Sequence, residues 1–124
     1  MNTYLDRDGL EHEKSHIVVE IIQYSPHAVV SKTIIRKTTG NVTAMSFDMG
    51  EELSEKITPF DTFVQIIDGA AEVIIAEKKH QLKLGTGIII PANLSHCFNA
   101  NEKFKMISTI IKSGYEAETP ANLP

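Results

Sequence analysis

Apolar residues recur along the chain in short runs from residue 28 to residue 112, and many of these runs alternate with polar residues. Side chains of a β-strand alternate between the two faces of a sheet, so this pattern predicts strands. Several runs end at a turn signal, such as the pair Asp68-Gly69. About eight short strands at hairpin spacing predict an antiparallel sandwich or barrel. The predicted strands are residues 28–37, 42–49, 61–69, 71–77, 79–85, 87–91, 96–100 and 104–112.

The two ends of the chain do not follow this pattern. Residues 15–24, "SHIVVEIIQY", alternate less regularly and favour a short helix with Ser15 as its N-cap, with an extended segment as the alternative. Residues 113–124 are polar and contain two prolines. A chain of 124 residues is large enough to bury one core. The predicted organisation is an N-terminal segment at 1–27, one β-barrel domain at 28–112 and a polar tail at 113–124.

Composition narrows the classes of partner. The net charge of −4 and the scattered lysines and arginines argue against a nucleic-acid-binding protein. The densest basic pair, Lys78-Lys79, lies where a hairpin turn is predicted. No apolar run approaches the roughly 20 residues that span a bilayer, and the acidic, polar start does not resemble a signal peptide. The single cysteine, Cys97, fits a reducing compartment. We therefore expect a cytoplasmic protein that binds neither nucleic acid nor membrane.

Residues 12–16 spell His-Glu-Lys-Ser-His, which has the H-E-x-x-H form of a zinc-protease helix. Such a site needs both histidines one turn apart on one continuous helix. A helix capped at Ser15 would leave His12 outside, and no later zinc-ligand motif follows. We interpret the pentad as a solvated amphipathic segment.

Residues 85–100, "GTGIIIPANLSHCFNA", resemble the second sequence motif of the cupin superfamily of small β-barrels. Gly85, Pro91 and His96 match its spacing. Asn93 stands where the motif usually has a glycine, and asparagine also tolerates a positive φ. The resemblance implies an antiparallel jelly-roll barrel, also called a double-stranded β-helix. If His96 points into this barrel, strand alternation points Phe98 inward as well and Cys97 outward.

Residues 50–69, "GEELSEKITPFDTFVQIIDG", resemble the first cupin motif, with Gly50 and Gly69 at its ends. Counted back from Gly69, the positions that usually carry metal ligands fall on Lys56, Thr58 and Thr62. None of these is a usual metal ligand. The resemblance therefore implies a pocket formed by Lys56, Thr58, Thr62 and His96. Other residues proposed for the pocket wall are Met45, Phe47, Phe60 and Met106.

One imidazole beside an ammonium does not hold a divalent ion tightly, because three or four protein ligands are the norm. Lys56 could instead replace the metal's positive charge and favour an anionic ligand. The predicted function is binding of a small, anionic or sugar-like molecule, with most family metal ligands lost and no cofactor assigned. The alternative is an enzyme of isomerase or oxygenase type, whose weakly held divalent transition metal is completed by ligands outside the motif. Lys56 as a solvated loop residue and His96 as an interior hydrogen-bonded residue also stay open.

A homodimer is also expected, because antiparallel sheets need their outer faces and edges covered. The segments "VVSKTIIRK" and "FVQIIDGAAEVII" carry more apolar residues than one barrel interior uses. Cys97 is interpreted as a small apolar filler, and Asp61 as a residue that makes either a local cap or a bond to backbone.

Overall fold

The computed structural model describes residues 9–115, and over this range the chain is almost entirely β-structure. Most of the predicted tail lies outside the described residues. None of the helices found between residues 9 and 115 is long and apolar enough to cross a membrane. The eight strands are β1 (Val29–Lys37), β2 (Gly40–Phe47), β3 (Glu52–Lys56), β4 (Asp61–Ile75), β5 (Lys78–Lys83), β6 (Gly87–Ile90), β7 (His96–Asn99) and β8 (Phe104–Ile111).

All strand pairs are antiparallel, and they form two sheets that share β4. The first sheet has the order β1-β2-β8-β4-β6, in which β4 contributes its first half. The second sheet has the order β5-β4-β7-β3, in which β4 contributes its second half. The curled antiparallel architecture confirms the predicted jelly-roll fold class.

The hairpin turn predicted at Asp68-Gly69 is wrong, because β4 continues through it as one strand of 15 residues. The register against β8 shifts between Ile66 and Asp68, and Gly69 has φ +71°. A Cβ at Gly69 would also collide with the backbone carbonyl of Lys103. The bulge and the glycine therefore bend β4 from one sheet into the other.

Two further predictions along this stretch need correction. The turn between β4 and β5 lies at Ala76-Glu77, where both residues have positive φ, so Lys78 and Lys79 are exposed residues of β5. Strand β3 was not predicted, because its sequence "ELSEK" contains only one apolar residue, Leu53. Fusion of two predicted strands and the addition of β3 leave the total at eight.

Residues 15–24 form much less helix than the sequence favours. Helix in this stretch is a single 3-10 turn at Val18–Glu20, preceded by the extended residue Ile17, and no side chain caps it. Ser15 is therefore not an N-cap. Lys105 Nζ donates to the carbonyl of Val19 at 2.7 Å, so this segment lies against the outer face of the first sheet.

The pentad at residues 12–16 does not form a protease helix. Its first residues lie in a turn, and Glu13 has φ +57°. The His16 imidazole lies 3.1 Å from the carbonyl oxygen of Glu11. The two histidines therefore do not share a helix or face one site. This outcome agrees with the expectation that the pentad is not a zinc-protease helix.

The hydrophobic core fills one end of the barrel interior and reaches the middle, where Val64, Ile90, Phe98 and Met106 also line a cavity. Phe47 and Phe104 are fully buried, and their rings stack with centroids 4.4 Å apart. Phe98 packs against Phe47 at 6.1 Å. The remaining buried members of this cluster are Val64, Ile66, Ala71, Val73, Ile75, Leu82, Ile90, Ala100 and Met106.

Candidate functional site

The other end of the barrel interior contains a cavity of about 220 Å³. The residues expected to form a pocket, namely Lys56, Thr58, Thr62 and His96, all line this cavity. Met45 and Met106 also line it, as proposed. Phe47 belongs to the packed core instead, and Phe60 packs against Tyr115 with ring centroids 5.9 Å apart.

Lys56 and His96 are brought together by a β-bulge. Leu53 pairs with Phe98, but the next pair joins Lys56 to His96, so β3 contains one residue more than β7 between the two pairs. Regular alternation would have placed Glu55 opposite His96. The bulge therefore replaces a carboxylate by an ammonium beside the imidazole. Lys56 is exposed as well as cavity-lining, so it lies at the mouth of the cavity.

His96 is buried, with an exposed fraction of 8%. Burial lowers the pKa of its imidazole below the usual value, and the nearby Lys56 ammonium lowers this pKa further. The carbonyl of Leu94 lies 3.5 Å from Nδ1 and opposes the shift. His96 is consequently a neutral imidazole at pH 7, next to a cation. Phe98 lies edge-on to the His96 ring at 6.1 Å, and Cys97 lies on the outer face, which confirms the predicted alternation.

Thr58 contributes to the site through the loop that it stabilises. Its hydroxyl donates to the carbonyl of Phe60 at 3.0 Å and accepts from the Phe60 N–H at 3.2 Å. Such a local hydroxyl–backbone turn satisfies the side chain within its own loop. Thr62, by contrast, is buried in β4 and faces the cavity.

Two loops form the mouth of the cavity, and hydrogen bonds hold them together. One loop joins β3 to β4, and the other joins β6 to β7. The backbone N–H of Asn93 donates to the Thr58 carbonyl at 2.7 Å, and the N–H of Ala92 donates to the Asp61 carboxylate at 2.8 Å. The bond from Ala92 is non-local, and it agrees with the bond to backbone expected of Asp61 as one of two alternatives.

Tyr115 anchors the same mouth from the far end of the chain. Its hydroxyl accepts a hydrogen bond from the N–H of Asp61 and donates one to the carbonyl of Ile111, each at 2.6 Å. Tyr115 was not predicted from the sequence, because nothing in the local pattern around it connects it to residues 60 and 61.

The wall opposite Lys56 and His96 carries hydroxyl groups that the sequence analysis also missed. Ser31, Thr43 and Ser108 line the cavity from β1, β2 and β8. Ser108 lies directly between Thr43 and Val64 in the register of the first sheet. Within residues 9–115, these hydroxyls and that of Thr62 make no hydrogen bond to protein. The cavity therefore offers hydroxyls on one wall and a cation with a neutral imidazole on the other.

The donor set does not fit a transition metal. No group of three or more His, Cys, Asp or Glu residues suited to a metal ion occurs in residues 9–115. His96 is the single imidazole among the described residues that line the cavity, and its cross-strand neighbour Lys56 repels a cation. Hydroxyls such as that of Thr62 do not compensate for missing imidazole and carboxylate ligands.

Cys97 has no feature of a reactive thiol. Burial raises the pKa of its thiol, and the carboxylates of Glu55, Glu52 and Glu72 raise it further. A nucleophilic cysteine needs the opposite environment, because the thiolate is the reactive form. Its interpretation as a small filler on the sheet surface is consistent with this environment.

The comparison with known proteins agrees with the fold. No protein-family model matches the chain. A conserved protein of unknown function from Streptococcus pyogenes superposes with a TM-score of 0.81 at 26% identity, covering 86% of this chain and 93% of that one. A cupin 2 conserved barrel domain protein from Leptotrichia buccalis superposes with a TM-score of 0.74 at 33% identity, covering 76% of this chain and 46% of that one. These neighbours support the assignment of the chain to the cupin superfamily.

A curated relative gives less information about function. The chain is 32% identical over 72 residues to Protein SchB of Streptomyces halstedii, which is 57% of this chain and 52% of that protein. The chain thus spans about half the length of this curated relative.

The backbone of the second cupin-like motif agrees with the resemblance. Asn93, which stands where the motif usually has a glycine, has φ +69°, and Gly85 has φ +85°.

Proposed function

We propose that this cupin binds a small anionic molecule in the barrel cavity, and that it does so without a tightly held metal ion. The observation that carries this proposal is the cross-strand pair of Lys56 and His96 at the cavity mouth. The pair supplies one positive charge, because His96 is held neutral by burial. That charge is close to the place where the family resemblance implies a metal ion. An anion would thus meet a cation at the mouth of a partly apolar cavity.

The direct test compares the wild type with Lys56→Met and with Lys79→Met as a matched control. Lys79 is exposed in β5, outside the cavity. Isothermal titration calorimetry with simple carboxylates at pH 7.5 should show binding that Lys56→Met weakens at least tenfold, about 1.4 kcal/mol, while Lys79→Met leaves it unchanged. Equal affinities in all three proteins would refute the proposed site.

The enzyme alternative needs a metal completed by groups outside the motif, and elemental analysis separates it from the binding proposal. After expression in metal-supplemented medium, we expect well below one equivalent of Fe, Mn, Ni or Zn per chain. One equivalent that disappears in His96→Ala would contradict the metal-free proposal and favour the enzyme.

We also propose that the protein forms a homodimer through the outer face of the first sheet near β6. Phe63, Leu84 and Ile89 are 41%, 62% and 62% exposed, and Phe63 pairs with Ile89 across β4 and β6. Strand β6 lies at a sheet edge and contains no charged residue. An uncharged apolar edge favours pairing with another chain. Strand β1 at the opposite edge contains Lys32, Arg36 and Lys37, so we expect it to contribute less to the interface.

Light scattering after size exclusion tests the dimer. We expect twice the mass of the chain for the wild type and the monomer mass for Ile89→Lys. The control is Ile35→Lys, which changes an exposed residue of β1 and should leave the dimer intact. A monomeric wild type at micromolar concentration would refute the proposal.

A cytoplasmic location and a barrel domain at 28–112 complete the proposal. Limited proteolysis should preserve a fragment with about these bounds, since the described strands run from Val29 to Ile111. Proteolytic cleavage within β4 that yields two stable fragments would argue against a single domain.

A further inference from the structure

We propose that the ligand of the cavity is a small 2-hydroxycarboxylate. Its carboxylate would pair with the Lys56 ammonium, and its 2-hydroxyl would donate a hydrogen bond to Nε2 of His96. This inference rests on the proposed function and narrows the class of anion that the cavity accepts.

The first step concerns the hydrogen on His96. The partner of Nδ1 is the carbonyl oxygen of Leu94, which can only accept a hydrogen bond. A hydrogen bond to this carbonyl requires the hydrogen on Nδ1, and in that tautomer the neutral ring leaves Nε2 as an acceptor. A carboxylate oxygen cannot donate to this acceptor, whereas a hydroxyl can. The site thus favours a ligand that has both an anionic group and a hydroxyl donor.

The second step concerns spacing. Lys56 and His96 are direct cross-strand partners, and such partners have Cβ atoms about 5 Å apart on one face of the sheet. The two ligand groups that they contact must therefore be close together. In a 2-hydroxycarboxylate, the carboxylate carbon and the carbon that bears the hydroxyl are directly bonded. Both contacts can form at once without a long spacer in the ligand.

The third step concerns size and charge. The cavity volume of about 220 Å³ is below the roughly 300–1,000 Å³ of pockets for drug-sized ligands, so the ligand is compact. Val64, Ile90 and Ile110 favour an aliphatic body, and the free hydroxyls of Thr62 and Ser108 admit a further polar group. Lys56 is the single cation among the described residues that line the cavity. A phosphate is usually bound by a bidentate arginine or by several successive backbone N–H groups. A single lysine therefore fits a monocarboxylate better.

The experiment uses three acids with the same carbon skeleton: 2-hydroxyisovalerate, 2-oxoisovalerate and isovalerate. Their dissociation constants are measured at pH 7.5 by the chemical-shift changes of backbone amides in the uniformly ¹⁵N-labelled protein. One additional hydrogen bond is worth about 1 kcal/mol, so we expect the hydroxy acid to bind about five- to tenfold more tightly than the other two.

Variants separate this inference from the proposed function. His96→Phe should remove the preference for the hydroxy acid, His96→Gln should retain part of it through its carbonyl acceptor, and Lys56→Met should weaken binding of all three acids. Each variant's amide spectrum reports whether it is folded. Equal affinities for the three acids, or a preference that persists in His96→Phe, would overturn the ligand class and leave anion binding intact. Failure of all three acids to bind at millimolar concentration would overturn both.

Discussion

The two ends of the barrel interior are built by the same strands but contain different side chains. On β8 the inward residue at the packed end is Phe104, and the inward residue at the cavity end is Ser108. On β4 the corresponding change runs from Ile66 to Thr62. The cavity therefore arises because inward positions become smaller and more polar toward one end, while β4 and β8 stay paired on both sides of the bulge between Ile66 and Asp68. We therefore expect side chains at the packed end to contribute most to stability and side chains at the cavity end to contribute most to ligand binding.

Phe104→Ala and Ser108→Ala, two changes on the same face of β8, should affect stability very differently. Phe104 is fully buried and stacked on Phe47, so its truncation should lower the free energy of unfolding by about 3–5 kcal/mol. Ser108→Ala removes a hydroxyl that has no protein partner and should cost less than about 1 kcal/mol. Urea unfolding of both variants measures the difference. Similar losses at the two positions would contradict the division between the ends.

The pH dependence of stability should sharpen the same comparison, because His96 is the buried titratable group at the cavity end. Its pKa in the folded state lies below the value of 6.5 for an exposed histidine. Between those two pKa values the unfolded state binds more protons, so the free energy of unfolding is highest above pH 6.5 and decreases as pH falls toward the folded pKa. For a single proton, the slope cannot exceed about 1.4 kcal/mol per pH unit.

Urea unfolding between pH 7.5 and pH 5 measures this effect, and His96→Gln is the control. All other residues are the same in both proteins, so the difference between the two curves isolates His96. The variant should lose less stability than the wild type as the pH falls through this range. Parallel curves would mean that the imidazole is not desolvated.

Tyr115→Phe should have a local effect, confined to the cavity mouth. It removes the acceptor of the Asp61 N–H and keeps the ring contact with Phe60, so we expect a loss of about 1 kcal/mol and faster hydrogen exchange at Asp61. Tyr24→Phe is the matched control, because it removes a 2.7 Å bond to Asp68 on the outer surface. Equal exchange at Asp61 in both variants would show that Tyr115 does not hold the mouth.

Much of the fold could be predicted from the sequence, because alternation of apolar residues directly reports which strand positions face inward. The failures have physical causes. Asp68-Gly69 has the composition of a tight turn, but here the glycine allows a bend within a long strand. Strand β3 contains too few apolar residues to show a pattern, since it lies at a sheet edge with most of its side chains exposed.

The candidate site was predictable to a smaller extent. The cupin-like spacing identified Lys56 and His96, and both line the same cavity. Their direct pairing depends on the bulge in β3, and a bulge depends on how two distant strands align rather than on local sequence. The hydroxyl wall of Ser31, Thr43 and Ser108 requires three strands in known register. No spacing rule connects those positions along the chain.

The central claim is that Lys56 supplies the charge that binds an anion beside a neutral His96. The most direct measurement is the pKa of His96, followed by NMR of ¹³C-histidine-labelled protein with and without saturating isovalerate, which has the carboxylate but no hydroxyl to donate to Nε2. A bound anion next to the imidazole offsets the repulsion from Lys56, so the account predicts that the His96 pKa rises when the carboxylate is added. The same shift should be absent in Lys56→Met. The account would be contradicted if the amide signals show that the carboxylate is bound at saturation while the pKa of His96 is unchanged.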